Sequence, residues 1–315
     1  MPPIVPWEAS IPSLKRSLLA LGAVAVVAAV SIVLLATRDD SPSGDAPPAT
    51  SAASSPTAPA PDPAETVAAR TPSSVKAPLG DLPGWRQVFI DDFTEDVDSW
   101  GECGSYEEHT CPDLPEPYRS KWWAYPSSHQ DTREKLEGDG GYYQPSDLSM
   151  SDGMLRIKLS REDGTTRSAA PYPRMDSLLY GRYAVRFKVD EAVPGFKIAW
   201  LLWRTVDEWA EIDFPEADLD REIHAFMHKE DGGQDDFASG VPLAGSGWHT
   251  SVIEWTPGEV KFFLDGRLIG TSTESVPDTP MDWILQSETS LSGELPEDGA
   301  EATIDIDWVA AWERA

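Results

Sequence analysis

The chain has 315 residues, of which 54 are acidic and 25 are basic, and its formal net charge is −29. This charge argues against nucleic acid as a partner, because phosphate binding needs a face rich in Lys and Arg. It also disfavours binding to anionic lipid surfaces. A large excess of acidic residues is typical of a protein that its negative charge keeps in solution.

An apolar segment near the N-terminus predicts a membrane anchor or a signal sequence. Residues 17–36 carry no charge and directly follow the basic pair Lys15 and Arg16. A helix of this length, at about 1.5 Å rise per residue, crosses the roughly 30 Å hydrocarbon core of a bilayer. The segment is long for a cleaved signal peptide, which favours an uncleaved single-pass anchor with residues 1–16 in the cytoplasm. In both cases the rest of the chain is extracellular, at the membrane face or secreted.

Residues 37–82 predict a disordered linker. Between residues 41 and 60 nearly every residue is Pro, Ala, Ser or Thr. Such a segment cannot bury enough apolar surface to fold, and its proline content stiffens it into a spacer. We therefore expect one folded domain over residues 83–315.

Beyond residue 83 the polar and apolar residues alternate with the period of a β-strand. The segment GRYAVRFKVD at 181–190 alternates throughout, and Asp265-Gly266 is a hairpin-turn signal after another alternating run. Residues 302–312 are expected to place a set of apolar residues on one face: Ala302, Ile304, Ile306, Trp308, Ala310 and Trp312. Many antiparallel strands without amphipathic helices predict an all-β sandwich or barrel.

Three carboxylates follow one another in the segment AEIDFPEAD at 210–218. Glu211 and Asp213 are two residues apart and share a strand face, but strict alternation would turn Glu216 to the opposite face. A β-bulge at Phe214-Pro215 restores Glu216 to the first face, and proline inside a sheet is confined to bulges and edges. Like charges side by side on a strand cost stability, so we interpret the trio as a site; a solvated acidic face is the alternative.

Cleavage of a glycosidic bond with retention requires two carboxyl groups, one as nucleophile and one as acid and then base. We assign these roles to Glu211 and Glu216. Asp213 lies between them, where it can hydrogen-bond the nucleophile, and its negative charge is expected to keep the acid protonated. The pattern therefore predicts a retaining glycosidase.

The motif E-I-D-F-P-E resembles the bulged E-x-D-x-x-E motif of family-16 glycoside hydrolases, the laminarinase-like group. The segments WRQVFIDDF, YGRYAVRFKV, AWLLWR and IDIDWVAAW resemble further parts of that family in the same order. The resemblance covers nearly all of residues 83–315 and implies a concanavalin-like jelly-roll sandwich with a concave cleft. It implies the same roles for Glu211, Asp213 and Glu216. The family often has Gly before the nucleophile, where this chain has Ala210.

The resemblance also implies contacts beyond the carboxylates. Trp200 and Trp209 match tryptophans that stack sugars, although one of the two is expected in the core. His228 and Gln286 match polar positions of the cleft, with a structural role as the alternative. Asp307 matches a position that supplies a structural calcium ligand in many members, and a surface aspartate is the alternative. The chemistry itself requires no cofactor.

Cys103 and Cys111 are the two cysteines of the chain. In an oxidising compartment they can close a short loop as a disulfide, and two free thiols are the alternative.

The expected function is that of a monomeric endo-glycosidase that hydrolyses internal β-1,3 or mixed β-1,3/1,4 linkages of β-glucan, a polysaccharide. A transglycosylase of the same family and a galactan substrate are alternatives. A non-catalytic glycan-binding module on a membrane stalk is a third, but such a module needs no row of three carboxylates.

Overall fold

The computed structural model describes residues 71–204, 210–229 and 233–315. The predicted anchor at 17–36, most of the predicted linker and Trp209 lie outside the described residues. Within the described ranges, no helix is long and apolar enough to cross a membrane.

Strands dominate the described part of the chain. They are β1 (Trp85–Asp91), β2 (Trp122–Ala124), β3 (Gly141–Tyr143), β4 (Leu148–Ser151), β5 (Met154–Glu162), β6 (Thr165–Ser168), β7 (Pro171–Pro173), β8 (Gly181–Val189), β9 (Phe196–Arg204), β10 (Ala210–Asp218), β11 (Glu222–His228), β12 (Gln234–Pro242), β13 (Trp248–Thr256), β14 (Glu259–Leu264), β15 (Arg267–Ser272), β16 (Asp282–Thr289) and β17 (Glu301–Arg314). Two short helices, α1 (Tyr118–Lys121) and α2 (Thr132–Glu137), and a 3₁₀ turn at Pro145–Asp147 lie between the early strands.

The strands form two large sheets. The first has ten strands, in the order β15-β14-β13-β8-β17-β5-β6-β3, with β1 paired to β17 and β4 to β5. The second has five strands, in the order β12-β11-β10-β9-β16, and β2 and β7 form a separate pair. All these strand pairs are antiparallel except β3 with β6. The predicted all-β sandwich is confirmed.

Local sequence accounts for several of these elements. The β14–β15 hairpin turns at Asp265 and Gly266, whose φ angles are 52° and 77°, as the Asp-Gly pair predicts. Strand β8 covers the alternating segment at 181–189. Helix α2 begins after Asp131, whose carboxylate accepts a hydrogen bond from the Glu134 amide at 2.8 Å, and it ends at Gly138 with φ 75°.

The main core lies between the two large sheets. Apolar side chains from alternate positions of β8, β9, β10, β11 and β17 meet there, among them Phe187, Trp200, Ile212, Met227 and Ile304. Because this core covers one face of the five-stranded sheet, the opposite face of that sheet carries its polar residues.

The face prediction for β17 is wrong for the second half of the strand. The pairing of β17 with β8 shifts register between Ile306 and Trp308. Ile306 points into the main core, whereas Trp308 and Trp312 belong to a second apolar cluster on the other side of the ten-stranded sheet. A bulge adds one residue to the count, so the alternation changes face at this point.

The second cluster is covered by a segment that we call the strap, residues 71–82. The Trp308 indole nitrogen donates to the Val75 carbonyl at 3.1 Å, and that of Trp312 donates to the Gly80 carbonyl at 3.0 Å. Gln87 donates to the Pro78 carbonyl at 2.7 Å. The predicted boundary at residue 83 is therefore too late, because the strap packs on the domain. Its apolar contacts come from scattered residues that the Pro- and Ser-rich composition conceals.

The disulfide between Cys103 and Cys111 closes a loop before β2. Trp123 donates from its indole nitrogen to the Gly104 carbonyl of that loop at 2.9 Å, and Tyr106 packs edge-on against the same ring. The disulfide closes the loop on itself, and the hydrogen bond and ring contact of Trp123 fix it to the β2–β7 pair.

Candidate active site

A β-bulge in β10 places the three predicted carboxylates on one face. Asp213 lies opposite Leu201 of β9, and Glu216 lies opposite Ala199, so β10 uses three residue steps where β9 uses two. The same shift occurs against β11. The bulge predicted at Phe214-Pro215 is confirmed, and Ile212 is buried on the core side. We call the surface that bears Glu211, Asp213 and Glu216 the carboxylate face.

Directly opposed residues of an antiparallel sheet point to the same side, so the register defines the rest of this face. The row through Glu211 contains His228, Trp203 and Asp282, the row through Asp213 contains Asp236, Phe226, Leu201 and Ile284, and the row through Glu216 contains His224, Ala199 and Gln286. The carboxylate face is therefore a grid in which charged, aromatic and amide side chains surround the trio.

Asp213 is the most deeply buried member of the trio, with 1% of its surface exposed, whereas Glu211 is half-buried. Burial, reinforced by the Glu216 charge, raises the pKa of Asp213 well above its usual value. Burial and the Asp213 charge raise the pKa of Glu211 to about 8. The expectation that the Asp213 charge keeps the acid protonated stays a prediction.

Three potential metal-ligand atoms, one each from Glu211, Asp213 and His228, lie within 4.8 Å of one another. The His228 ring nitrogen Nε2 is 2.9 Å from Asp213 Oδ2. The Asp213 charge so close to Glu211 makes ionisation of Glu211 more costly. The same spacing would admit a cation, and both Asp213 carboxylate oxygens are buried without a hydrogen-bond partner among the described residues.

The prediction that Trp200 on β9 stacks a sugar needs correction. Trp200 is fully buried in the core, where its ring meets Phe187 at 4.9 Å between centroids, so it is not available to stack a sugar. Trp203, three residues later, is half-buried on the carboxylate face beside Glu211. Period-two alternation puts these two residues on opposite faces, and only the register with β10 shows which of them lies beside the carboxylates.

His228 and Gln286 both lie on the carboxylate face, half-buried, in the rows of Glu211 and Glu216. Phe226 lies between His224 and His228 on β11, and its ring is stacked on that of His224 at 5.7 Å. Sequence reasoning did not identify Phe226. The alternation H-A-F-M-H at 224–228 is its signal, because both histidines already point to this face.

Lys197 is the second residue that the sequence did not reveal. Its ammonium nitrogen lies 2.5 Å from Glu216 Oε1, and the side chain is 7% exposed. Burial alone would lower the pKa of Lys197, but the Glu216 and Glu288 carboxylates outweigh it and the pKa is raised. A buried ammonium ion therefore contacts one end of the carboxylate trio.

Asp307, the predicted calcium ligand, lies on β17 on the outer side of the ten-stranded sheet. Its carboxylate accepts a hydrogen bond from the Ser73 hydroxyl, and the Arg186 guanidinium donates to that same hydroxyl at 3.3 Å. Burial raises the pKa of Asp307. These contacts do not form an oxygen shell for calcium, so they lend the calcium site no support and it stays a prediction.

The model of glycosyl hydrolases family 16 matches residues 141–310, more than half of the chain. The chain is 26% identical over 145 residues to a β-glucanase of Acetivibrio thermocellus, which is 44% of this chain and 43% of that relative. It is 26% identical over 164 residues to a β-glucanase of Paenibacillus macerans, which is 48% of this chain and 69% of that relative.

A solved structure of a β-1,3-glucanase from Mycobacterium marinum superimposes with a TM-score of 0.55 at 20% identity. The superposition covers 72% of this chain and 98% of that one, and it supports the sandwich fold. With the family match over β3 to β17, which includes the bulged strand and all three carboxylates, the chain belongs to family 16 of the glycosyl hydrolases.

Proposed function

We propose that this chain is a retaining endo-glycosidase that hydrolyses internal β-1,3 or mixed β-1,3/1,4 linkages of a β-glucan. The observation that carries the proposal is the carboxylate trio, which the β10 bulge aligns on one face around the buried Asp213. The likeness to β-glucanases supports a glucan as the substrate class.

In the first step Glu211 acts as the nucleophile. In its ionised form the Glu211 carboxylate attacks the anomeric carbon. A bond forms between a Glu211 oxygen and this carbon while the bond to the leaving oxygen breaks. Glu216 donates its proton to that oxygen, so the first sugar product leaves as an alcohol and a glycosyl-enzyme remains.

In the second step Glu216 acts as a base. It accepts a proton from a water molecule whose oxygen attacks the anomeric carbon, and the bond to Glu211 breaks. Two displacements at one carbon retain its configuration. If the hydroxyl of another sugar takes the place of water, the same steps give transglycosylation, which is the alternative activity.

The residues around the trio would bind the sugar chain. Trp203 and Phe226 offer aromatic faces on which the apolar side of a pyranose can stack. His228 and Gln286 offer hydrogen bonds to hydroxyl groups in the rows of Glu211 and Glu216. The proposed substrate-binding set is therefore Trp203, Phe226, His228 and Gln286, while the proposed role of Trp209 rests on the resemblance alone.

We place the domain outside the cytoplasm, tethered by residues 17–36 or secreted after cleavage. A disulfide between Cys103 and Cys111 suits an oxidising compartment. A monomer is the default state of such a domain and stays a prediction, as does the membrane anchor.

The test uses the full-length protein, solubilised in mild detergent, on a panel of β-1,3-, mixed-linkage, β-1,4-glucans and galactans. Release of reducing ends from one glucan is expected, with loss of at least about 10³-fold in Glu211→Gln, since no nucleophile remains. Proton NMR of the first product should show the β anomer. Release of the α anomer would overturn the retaining mechanism, and binding without turnover across the panel would favour a glycan-binding module.

Glu216→Ala provides a matched variant for the acid/base role. With an aryl glycoside that needs no protonated leaving group, added azide should restore turnover and give a β-glycosyl azide, because azide needs no base to attack the glycosyl-enzyme. Failure of azide to restore activity, while Glu211→Gln stays inactive, would remove the assignment of Glu216.

A further inference from the structure

A buried lysine contacts the carboxyl group that the proposed mechanism uses as acid and base. Lys197 Nζ lies 2.5 Å from Glu216 Oε1, within hydrogen-bond distance. Lys197 is on β9 opposite Asp218 of β10, and its side chain is turned to the carboxylate face. A buried ammonium ion requires a partner, because its desolvation is costly.

On the other side of Lys197 lies a second buried carboxylate, Glu288. It is directly opposite Lys197 on β16 and is 1% exposed. The amide of Thr132 donates to Glu288 Oε2 at 3.1 Å, and the Tyr143 hydroxyl donates to the same oxygen at 3.4 Å. Glu288 is thus held in position by α2 and by β3 of the ten-stranded sheet, independently of Glu216.

The residue that anchors this group is Asp131. Its carboxylate caps helix α2 through the Glu134 amide, and its other oxygen accepts hydrogen bonds from the amide and hydroxyl of Thr289 at 3.1 and 2.6 Å. These hydrogen bonds connect the N-terminus of α2 to the end of β16, and they fix Glu288 in its position opposite Lys197.

Several other charged or titratable groups face Glu216. They are Glu211, Asp213 and Asp218 on β10, Lys197 on β9, His224 on β11, Asp236 on β12 bonded to His224 at 2.6 Å, and Glu288 opposite Lys197 on β16. Most of these groups are acids, and within the described part of the chain the cation in contact with the Glu216 carboxylate is Lys197.

We propose that Lys197 is a positioning residue that holds the Glu216 carboxylate in place, and that Glu288 is the fixed counterion of Lys197. The proposal rests on the proposed function, since it takes Glu216 as the acid and base. It assigns a role to two buried charges that the three-carboxylate mechanism does not use.

The two steps of the mechanism explain why such a pair is useful. The second step needs Glu216 as an ionised base, and the Lys197 ammonium stabilises that form. The first step needs Glu216 protonated, which would leave Lys197 without a partner. Glu288 then balances the ammonium, so the proton can return to Glu216 without leaving an uncompensated buried charge.

The two charges predict opposite shifts in the pH dependence of kcat/KM, whose descending limb reports the acid of the free enzyme. Lys197→Met removes the cation that favours ionised Glu216, so this limb should move to higher pH by about 1–3 units. Glu288→Gln leaves Lys197 to act on Glu216 alone, so the limb should move to lower pH. Opposite shifts from two neutralising changes would not follow from loss of stability.

A matched control separates this role from the cost of removing any buried lysine. Lys188 lies in the ten-stranded sheet, 3.7 Å from the buried Asp305 carboxylate, and Lys188→Met should leave the pH profile unchanged. Lys197→Arg keeps the charge and should keep most of the profile. On glucan, at the optimum pH of the unmodified enzyme, kcat/KM of Lys197→Met should fall at least tenfold. On an aryl glycoside with a dinitrophenolate leaving group, which needs no acid, it should fall less than threefold.

A second measurement does not depend on turnover. In full-length protein with ¹³C-labelled glutamate carboxyl groups, the Glu216 signal is assigned by its loss in Glu216→Gln, and its titration midpoint is compared with and without Lys197→Met. A higher midpoint in Lys197→Met supports the proposal even if no glycan is cleaved, which would refute only the proposed function. An unchanged midpoint, or shifts of the same sign in Lys197→Met and Glu288→Gln, would overturn it. If Lys197→Met does not fold, Glu288→Gln and Lys197→Arg decide by the same criteria.

Discussion

Replacing two tryptophans of β9 one at a time separates the core from the substrate surface. Trp200 is fully buried, and its ring packs edge-on against Phe187. Removing a buried ring of this size costs about 3–5 kcal/mol, because the lost transfer free energy adds to the cost of the cavity. For a domain of this size each kcal/mol lowers Tm by roughly 2–4 °C, so Trp200→Ala should lower Tm by about 6–20 °C.

Trp203 should behave in the opposite way. It is half-buried on the carboxylate face beside Glu211, so Trp203→Ala forfeits only part of its apolar area and should cost about 1–2 kcal/mol of stability. A ring that stacks a sugar is a binding hot spot, and its loss should raise KM about ten- to thirtyfold. Trp200→Ala, where still folded, should leave KM within about twofold, because the stability loss lies in the core.

The assay combines urea unfolding for the free energy of unfolding with KM on the best glucan of the panel. Trp200→Phe is the matched control. Its indole nitrogen is buried and has no acceptor in the structure, so this change removes an unsatisfied donor and should cost much less than Trp200→Ala. A raised KM in a stable Trp200→Ala, together with an unchanged KM in Trp203→Ala, would refute the assignment of the two faces.

Two further predictions concern the stability that the strap contributes and the pH dependence of stability that Glu211 causes. A fragment that begins at residue 83 should have a lower Tm than one that begins at residue 71, because the strap covers Trp308 and Trp312 and accepts hydrogen bonds from both indoles. The shorter fragment should also show the fluorescence of more exposed indoles. Equal Tm values would show that the strap contributes nothing to stability. Burial in the folded state raises the pKa of Glu211 to about 8, so the folded protein binds a proton at Glu211 more strongly than the unfolded chain does. The stability gained from this proton is lost as pH rises from the ordinary glutamate range toward 8. Glu211→Gln should therefore raise Tm at pH 8 by about 3–6 °C and change it little at pH 5, as measured by scanning calorimetry. An equal effect at both pH values would contradict the raised pKa of Glu211.

Local rules accounted for the features that depend on neighbouring residues. The alternation at 181–189, the Asp265-Gly266 turn and the bulge at Phe214-Pro215 all follow from backbone preferences within a few residues. The trio is aligned because parity and one extra residue can be counted along a single strand. The same counting failed on β17, where a second bulge after Ile306 carries no proline to mark it.

Partners from distant parts of the chain were decided by the tertiary structure alone. Lys197 on β9 contacts Glu216 of β10 and lies opposite Glu288 of β16, and burial between the strands raises the pKa of Asp213. Trp200 and Trp203 differ in face by parity, but the register with β10 decides which one lies beside Glu211. The sequence by itself determined the strands, the bulge and the row of carboxylates, since these arise from residues close in the chain. The burial of each charge and the identity of its partner required the packed sheets, because desolvation and contact depend on which strands the fold brings together.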